Sequence, residues 1–165
     1  MNFPVHGYNE CMIMYILAAA SPTHGIPATV YNEGWAQNGQ IVSPHTVEGI
    51  KLHLRYQGTE AGPLFWAQYS FLGMNPNGLQ DKYCPSYFNE MRNLYGMGEK
   101  VFGPYGFYDA FSEMDNWYPK RYLAIDQGPI AVMIENYRSG LLWKLFMSHP
   151  DVQNGLNKLG FTYTK

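Results

Sequence analysis

The acidic side chains are the natural place to look for chemistry here, because one proton donor and one water-activating carboxylate are enough to hydrolyse an acetal bond. Asp126 stands in Tyr122-Leu123-Ala124-Ile125-Asp126-Gln127-Gly128-Pro129, between an apolar run and a Gly-Pro pair at which a helix is expected to begin. A carboxylate at such a junction can face a cleft or cap the first helical N–H groups, and the local sequence favours the cap. Glu10 falls in the expected first turn of an apolar helix. Burial there would suit it to acid catalysis or to holding a hydroxyl, with the helix dipole as the alternative partner. Glu135 lies in the apolar text Val132-Met133-Ile134-Glu135-Asn136-Tyr137, and Arg138 three residues on offers an ion pair in place of a catalytic role. Asp109 and Glu113 are four apart and share a face if residues 107–113 are helical. A solvated face explains them, and so does a cleft beside Tyr108, Phe111 and Trp117.

Aromatic side chains supply the second half of a carbohydrate site, because sugar rings present C–H faces that stack on Trp and Tyr while their hydroxyls need convergent polar groups. Trp35, Trp66, Tyr69 and Trp117 each have polar neighbours in sequence. Trp66 is placed in an expected apolar helix and reads first as core; Trp35, in an expected loop, is the better candidate for binding. His6, His24, His45, His53 and His149 show no paired ligand spacing, so no metal is expected. Neither a phosphate-binding glycine loop nor a Gly-x-Ser-x-Gly elbow occurs, and no cofactor is expected.

The elements that must hold these residues are mainly helical. Tyr8 to Ala20 reads as a helix with apolar residues all round, stopped by Ser21-Pro22 and Gly25-Ile26-Pro27. Val30 to Gly49 has no sustained period and reads as a long loop. Ile50, Leu52, Leu54 and Tyr56 alternate with polar residues as in a half-buried strand, which suggests a small hairpin insertion. Further helices are expected from Pro63 to Leu72, from Pro85 to about Tyr95, from Pro129 to Arg138, from Ser139 through Met147, and from Pro150 to Gly160. A short helix or turn is expected from Phe107 to about Glu113.

Composition bounds the rest. Among 165 residues, 46% are hydrophobic and 16% aromatic, while 15% are charged and the net charge is -2. This describes a globular chain rather than a disordered one. With 11 basic against 13 acidic residues, no phosphate-attracting field exists and nucleic acid is not an expected partner. Cys11 and Cys84 match no zinc or redox spacing and read as reduced core residues. The opening residues lack a basic region and do not read as a signal peptide, and the apolar stretch Met12 to Ala20 is too short to span a bilayer.

One series of motifs is more specific than any of these: Tyr8-Asn9-Glu10, Ser21-Pro22-Thr23-His24, Gly62-Pro63-Leu64-Phe65-Trp66-Ala67-Gln68-Tyr69-Ser70-Phe71-Leu72-Gly73, Gly106-Phe107-Tyr108-Asp109-Ala110-Phe111, Tyr122 to Ile130, and Ile134 to Trp143. In order and spacing it resembles the C-terminal part of the glucoamylase-like domain, a group that includes glycoside hydrolase family 144, over nearly the whole chain. The resemblance implies an (α/α)6 toroid with sugar-binding loops at one rim. It implies activity on β-1,2-glucan, by inverting hydrolysis as in endo-β-1,2-glucanases or by transglycosylation as in cyclic β-1,2-glucan synthases. A non-catalytic glycan-binding protein is the alternative.

On this resemblance Asp126 and Asp109 are expected near the water-activating side, and Glu10 and Glu135 as acid or sugar-binding groups. Tyr8, Asn9, His24, Trp35, Trp66, Tyr69, Trp117 and Gln127 are expected to bind sugar. A ring of twelve helices needs several hundred residues, at roughly 11 residues per helix plus connections. Residues 1–165 are therefore expected to be the C-terminal part of one such domain, a partial toroid that is mainly all-α with a small β-hairpin insertion. The expected partners are an oligo- or polysaccharide and either the remaining half or another chain covering the open seam. Periplasmic or secreted location follows from the resemblance alone.

Overall fold

A computed structural model describes residues 5–47, 49–56, 61–94, 100–112 and 114–164. Its helices are α1 (Met12–Ala20), α2 (Ala28–Val30), α3 (Tyr87–Leu94), α4 (Ala124–Ser139), α5 (Leu141–Met147) and α6 (Pro150–Leu159), with a π-helical turn at Tyr31–Trp35 and 3-10 turns at Gln37–Gly39, Leu64–Ala67 and Tyr69–Leu72. The strands are β1 (Thr46–Val47), β2 (Ile50–Lys51), β3 (Ala61–Pro63), β4 (Leu79–Gln80), β5 (Phe102–Gly103), β6 (Gly106–Phe107), β7 (Ala110–Ser112) and β8 (Thr162–Tyr163). They pair antiparallel as β1 with β2, β3 with β7, β4 with β8 and β5 with β6. The fold is thus mostly helical, as expected, with more strand pairing than one hairpin insertion.

The core forms where α1 lies along α6. Met12, Ile16 and Ala19 of α1 meet Leu156 and Leu159 of α6 in one cluster that also buries Tyr31, Trp35, Phe71, Tyr87 and Phe161. The two helices approach so closely that a Cβ on Gly155 would stand 2.7 Å from the Ile16 carbonyl oxygen and 2.9 Å from the Ala20 nitrogen. Only glycine fits there, because both obstacles are backbone. Pro150 in the first turn and Gly160 in the left-handed conformation at the end (φ 83) bound α6 as the sequence suggests.

Several sequence expectations give way to tertiary contacts. Helix α1 begins at Met12 rather than Tyr8, because Asn9 closes a turn of its own: its Oδ1 accepts from Cys11 N at 2.8 Å and its Nδ2 donates to the His6 carbonyl at 3.2 Å. Glu10 therefore precedes the helix. The run from Pro63 to Leu72 is two 3-10 turns, not an α-helix. Its carbonyls find partners elsewhere, since Trp143 Nε1 donates to Phe71 O at 2.7 Å and Asn136 Nδ2 to Leu72 O at 3.0 Å.

Residues 107–112 are not helical either, because β7 pairs with β3, setting Gly62 opposite Phe111. The shared helical face proposed for Asp109 and Glu113 does not exist, and Glu113 lies outside the described residues. The expected loop from Val30 to Gly49 contains helical turns, and Trp35 within it is fully buried. Helix α4 starts at Ala124, five residues before Pro129, which places Asp126 inside its first turn.

Several apolar side chains stay exposed, among them Leu141 and Leu145 of α5, Ile134 and Tyr137 of α4, and Met14 and Leu17 of α1, and Leu17, Leu142, Leu145 and Phe146 line an open groove of about 710 Å³. Among the described residues no helix is long and apolar enough to cross a membrane. Both cysteines are free; Cys84 is buried and Cys11 partly so.

Candidate active site

A cleft of about 590 Å³ opens beside the β3–β7 ribbon, with Phe65, Met114 and Trp117 as apolar walls and Asp109 and Asp115 as acids. Its shape starts from two backbone bonds: Leu64 N donates to the Asp109 carbonyl at 2.7 Å and Asp109 N donates to the Arg121 carbonyl at 2.9 Å. With both backbone groups engaged, Asp109 is pinned between the ribbon and the segment leading into α4. Ser112 N and Trp117 O, and Trp117 N and Ser112 O, bond reciprocally at 2.9 Å, closing the short loop that carries Met114 and Asp115. Ser112 Oγ donates to Asp115 at 2.7 Å. Trp117 remains 46% exposed, so its ring face is available to a ligand.

Behind the cleft, Asp126 is wholly buried. Its Oδ1 accepts from Phe65 N at 2.9 Å while Oδ2 meets no donor, and because the preceding Leu64 N donates to the Asp109 carbonyl, the two acids meet at the same turn. Burial first, and the Asp109 carboxyl second, push the Asp126 pKa up to about 6 against the pull of the Phe65 amide. Arg121 Nη2 lies 3.8 Å from Asp109 Oδ2, but its side chain is mostly exposed and water screens the attraction.

The remaining sequence candidates are dispersed. Gln127 donates from Nε2 to the Phe107 carbonyl at 3.1 Å and so braces the ribbon next to the pair. Trp66 packs against Tyr56 at 4.6 Å and, with Tyr8 and Phe111, lines an enclosed space of about 40 Å³. That volume holds a few waters and no sugar ring. Tyr69 packs edge-on to Phe65 at 5.7 Å. Asn9 is spent on its turn, and His24 is exposed after α1 with Nδ1 against Thr23 Oγ1. Glu10 is half-buried and its carbonyl accepts from Ser70 Oγ; Glu135 pairs with Arg138 at 3.6 Å on the exposed side of α4. Trp35 belongs to the core, contrary to its reading as a loop residue.

Asp115 and Arg121 at the cleft are not marked by any motif in the sequence, and neither is a buried acid elsewhere. Glu90 on α3 is fully buried and accepts from His53 N at 2.7 Å and Leu54 N at 3.0 Å, with burial pushing its pKa up to about 7. Among the described residues no group of three or more His, Cys, Asp or Glu is placed to hold a metal.

Comparison with known proteins places the chain in a family. The family described as "Glycoamylase: Putative glucoamylase" matches residues 2–97 and 89–150. Structurally the chain is similar to a glucoamylase-type protein from Bacteroides fragilis NCTC 9343, with 60% identity and a TM-score of 0.78, covering 100% of this chain and 56% of that one. It is also similar to the endo-β-1,2-glucanase of Chitinophaga pinensis solved with sophorotriose and glucose, with 44% identity, a TM-score of 0.66, and coverage of 98% and 56%. An exo-β-1,2-glucooligosaccharide sophorohydrolase from Parabacteroides distasonis is 29% identical over 245 residues, covering 96% of this chain and 34% of that protein. The chain thus spans about half the length of these solved relatives and a third of that curated one. The 245-residue alignment is also longer than the chain's own 165 residues, so part of the relative has no counterpart within it. The chain belongs to the family of glucoamylase-like proteins described by that match.

Proposed function

We propose that the chain acts on β-1,2-linked glucan as a glycoside hydrolase, with Asp109 as the carboxylate that faces the sugar. The observation that carries this reading is the Asp109–Asp126 pair at the back of a cleft walled by Phe65, Met114 and Trp117. An ionised carboxylate there can draw a proton from an attacking water, while Trp117 stacks on a glucose ring. Arg121 reaches Asp109 at 3.8 Å from the rim without closing the cleft. The substrate class comes from the C. pinensis and P. distasonis proteins, whose names specify β-1,2-glucan and its oligosaccharides. Inversion is the expected outcome, water entering opposite the departing oxygen. The (α/α)6 toroid belongs to the same reading, with residues 1–165 as part of one ring, and so does a periplasmic or secreted location, where a polymeric glucan is met.

One observation favours a second reading, a glycan-binding chain without turnover. An inverting glycosidase needs an acid across the sugar from its base. Glu10 and Glu135, the sequence candidates for that acid, do not line the cleft, and part of the P. distasonis relative has no counterpart here. Incubation with linear β-1,2-glucan separates the two. Release of reducing ends by the wild type and its loss in Asp109→Asn supports hydrolysis, calorimetric binding without product supports the second reading, and neither binding nor product removes both.

A further inference from the structure

We propose that Asp126 is a positioning residue for Asp109: from beneath the cleft it donates a shared proton to one Asp109 oxygen and leaves the other aimed at the ligand. This rests on the reading of Asp109 as the cleft carboxylate. The two acids differ in access, since Asp109 lines the cleft and Asp126, with no exposed surface, is absent from its walls. Substrate reaches the first and not the second.

The proton follows from hydrogen-bond accounting. Asp126 Oδ1 is satisfied by Phe65 N, so the carboxyl cannot swing away without orphaning that amide. Oδ2 is buried and lacks a donor while facing a second carboxyl. Two ionised carboxylates repel, and burial of Asp126 weakens the screening on its side. An Asp126 O–H donating from Oδ2 to an Asp109 oxygen removes the repulsion and gives the orphaned Oδ2 a partner. The raised pKa of Asp126, caused by burial and then by Asp109, is what such a shared proton produces.

The surroundings leave that proton few competitors. The 3-10 turns packed on α4 carry Tyr69 as their titratable residue, set against Phe65. Helix α5 carries Lys144, which donates to the Ser139 carbonyl at the far end of α4, where Glu135 and Arg138 also pair. On the cleft side Arg121 faces Asp109, and Asp115 is bonded to Ser112.

The consequence is an alkaline limit. Above about pH 6 the shared proton leaves, Asp109 loses its brace, and ligand binding and turnover fall. Asparagine at 126 would keep an acceptor for Phe65 N and offer Asp109 an N–H that does not titrate. The test follows the Asp carboxyl carbons by NMR from about pH 4 to about pH 8 in the wild type, Asp109→Asn and Asp126→Asn, with glucan hydrolysis over the same range. In the wild type the two carbons should move together in a transition near pH 6. Asp109→Asn should lower the Asp126 midpoint. Asp126→Asn should abolish that transition at Asp109 and remove the alkaline limb of the rate profile, whereas Asp126→Ala should lose at least about tenfold in turnover at every pH.

An Asp109 carbon that stays flat while Asp126 titrates overturns the proposal, even if no variant can be purified. So does an alkaline limb that persists in a folded Asp126→Asn. A joint transition without hydrolysis at any pH would instead sink the glycosidase reading and leave the shared proton standing.

Discussion

Glu90 and Asp126 are both buried without residual exposure and both hold protons more tightly than an ordinary carboxyl, yet they sit in regions that use an acid differently. In the α3 region Glu90 is saturated: one oxygen accepts from His53 N and the other from Leu54 N, just before the chain turns into the core. In the α4 region Asp126 spends one oxygen on Phe65 N and turns the other toward Asp109, which opens on the cleft. Burial alone does not separate a structural acid from a functional one. The destination of the second oxygen does.

That contrast can be broken most severely through activity. Asp109→Asn should reduce glucan hydrolysis by at least about 100-fold in a reducing-end assay while shifting urea-unfolding stability by less than about 1 kcal/mol. If hydrolysis survives, the α4 region is not the functional one. Glu90→Ala should behave in the opposite sense. Leaving the His53 and Leu54 amides unpaired should cost about 3 kcal/mol in urea unfolding. The NMR response of Asp109 to glucan in the folded fraction should be unchanged, and an altered response would couple the two regions.

Dependence on pH sharpens the comparison at a smaller scale. Both folded-state values lie above those of the free side chains, so the folded state binds more protons than the unfolded one. Their contribution to stability is present at low pH and is lost as pH rises toward about 6 for Asp126 and about 7 for Glu90. The melting temperature should fall by about 5–10 °C between pH 4.5 and pH 7.5 on this account. Calorimetry of Glu90→Gln should show the flatter profile above pH 6, because its titration extends further. Least affected should be Arg121→Gln, whose exposed partner contact is worth under about 1 kcal/mol in thermal unfolding, with a small loss of activity that added salt reproduces in the wild type.

Local signals carried the C-terminal helices. Pro150 and Gly160 mark α6 because helix ends are decided by the residues at them, and Ser139 marks the start of α5 by accepting from Leu141 N, whereas Pro129 lies five residues inside α4. Asp109 and Asp126 could both be picked out as candidates, but their meeting depends on β3 pairing with β7 from far along the chain, and no local period reports that. The same ribbon is why residues 110–112 form a strand where a short helix or turn is expected from local sequence. Trp35 is no loop residue, because a π-helical turn folds it into the core, whereas Trp66 packs on Tyr56 in keeping with its first reading as core. Glu90 gave no warning, since the amides it satisfies are 36 and 37 residues away.

The most direct measurement is a calorimetric titration of the wild-type chain and Trp117→Ala with linear β-1,2-glucooligosaccharides, which reads occupancy of the Asp109 cleft whether or not the bond is cut. Binding by the wild type with at least about tenfold weaker affinity in Trp117→Ala is the predicted result, in keeping with the loss of an exposed stacking surface. Equal affinity in the two proteins, or no binding by the folded wild type, would contradict the placement of the glucan in this cleft.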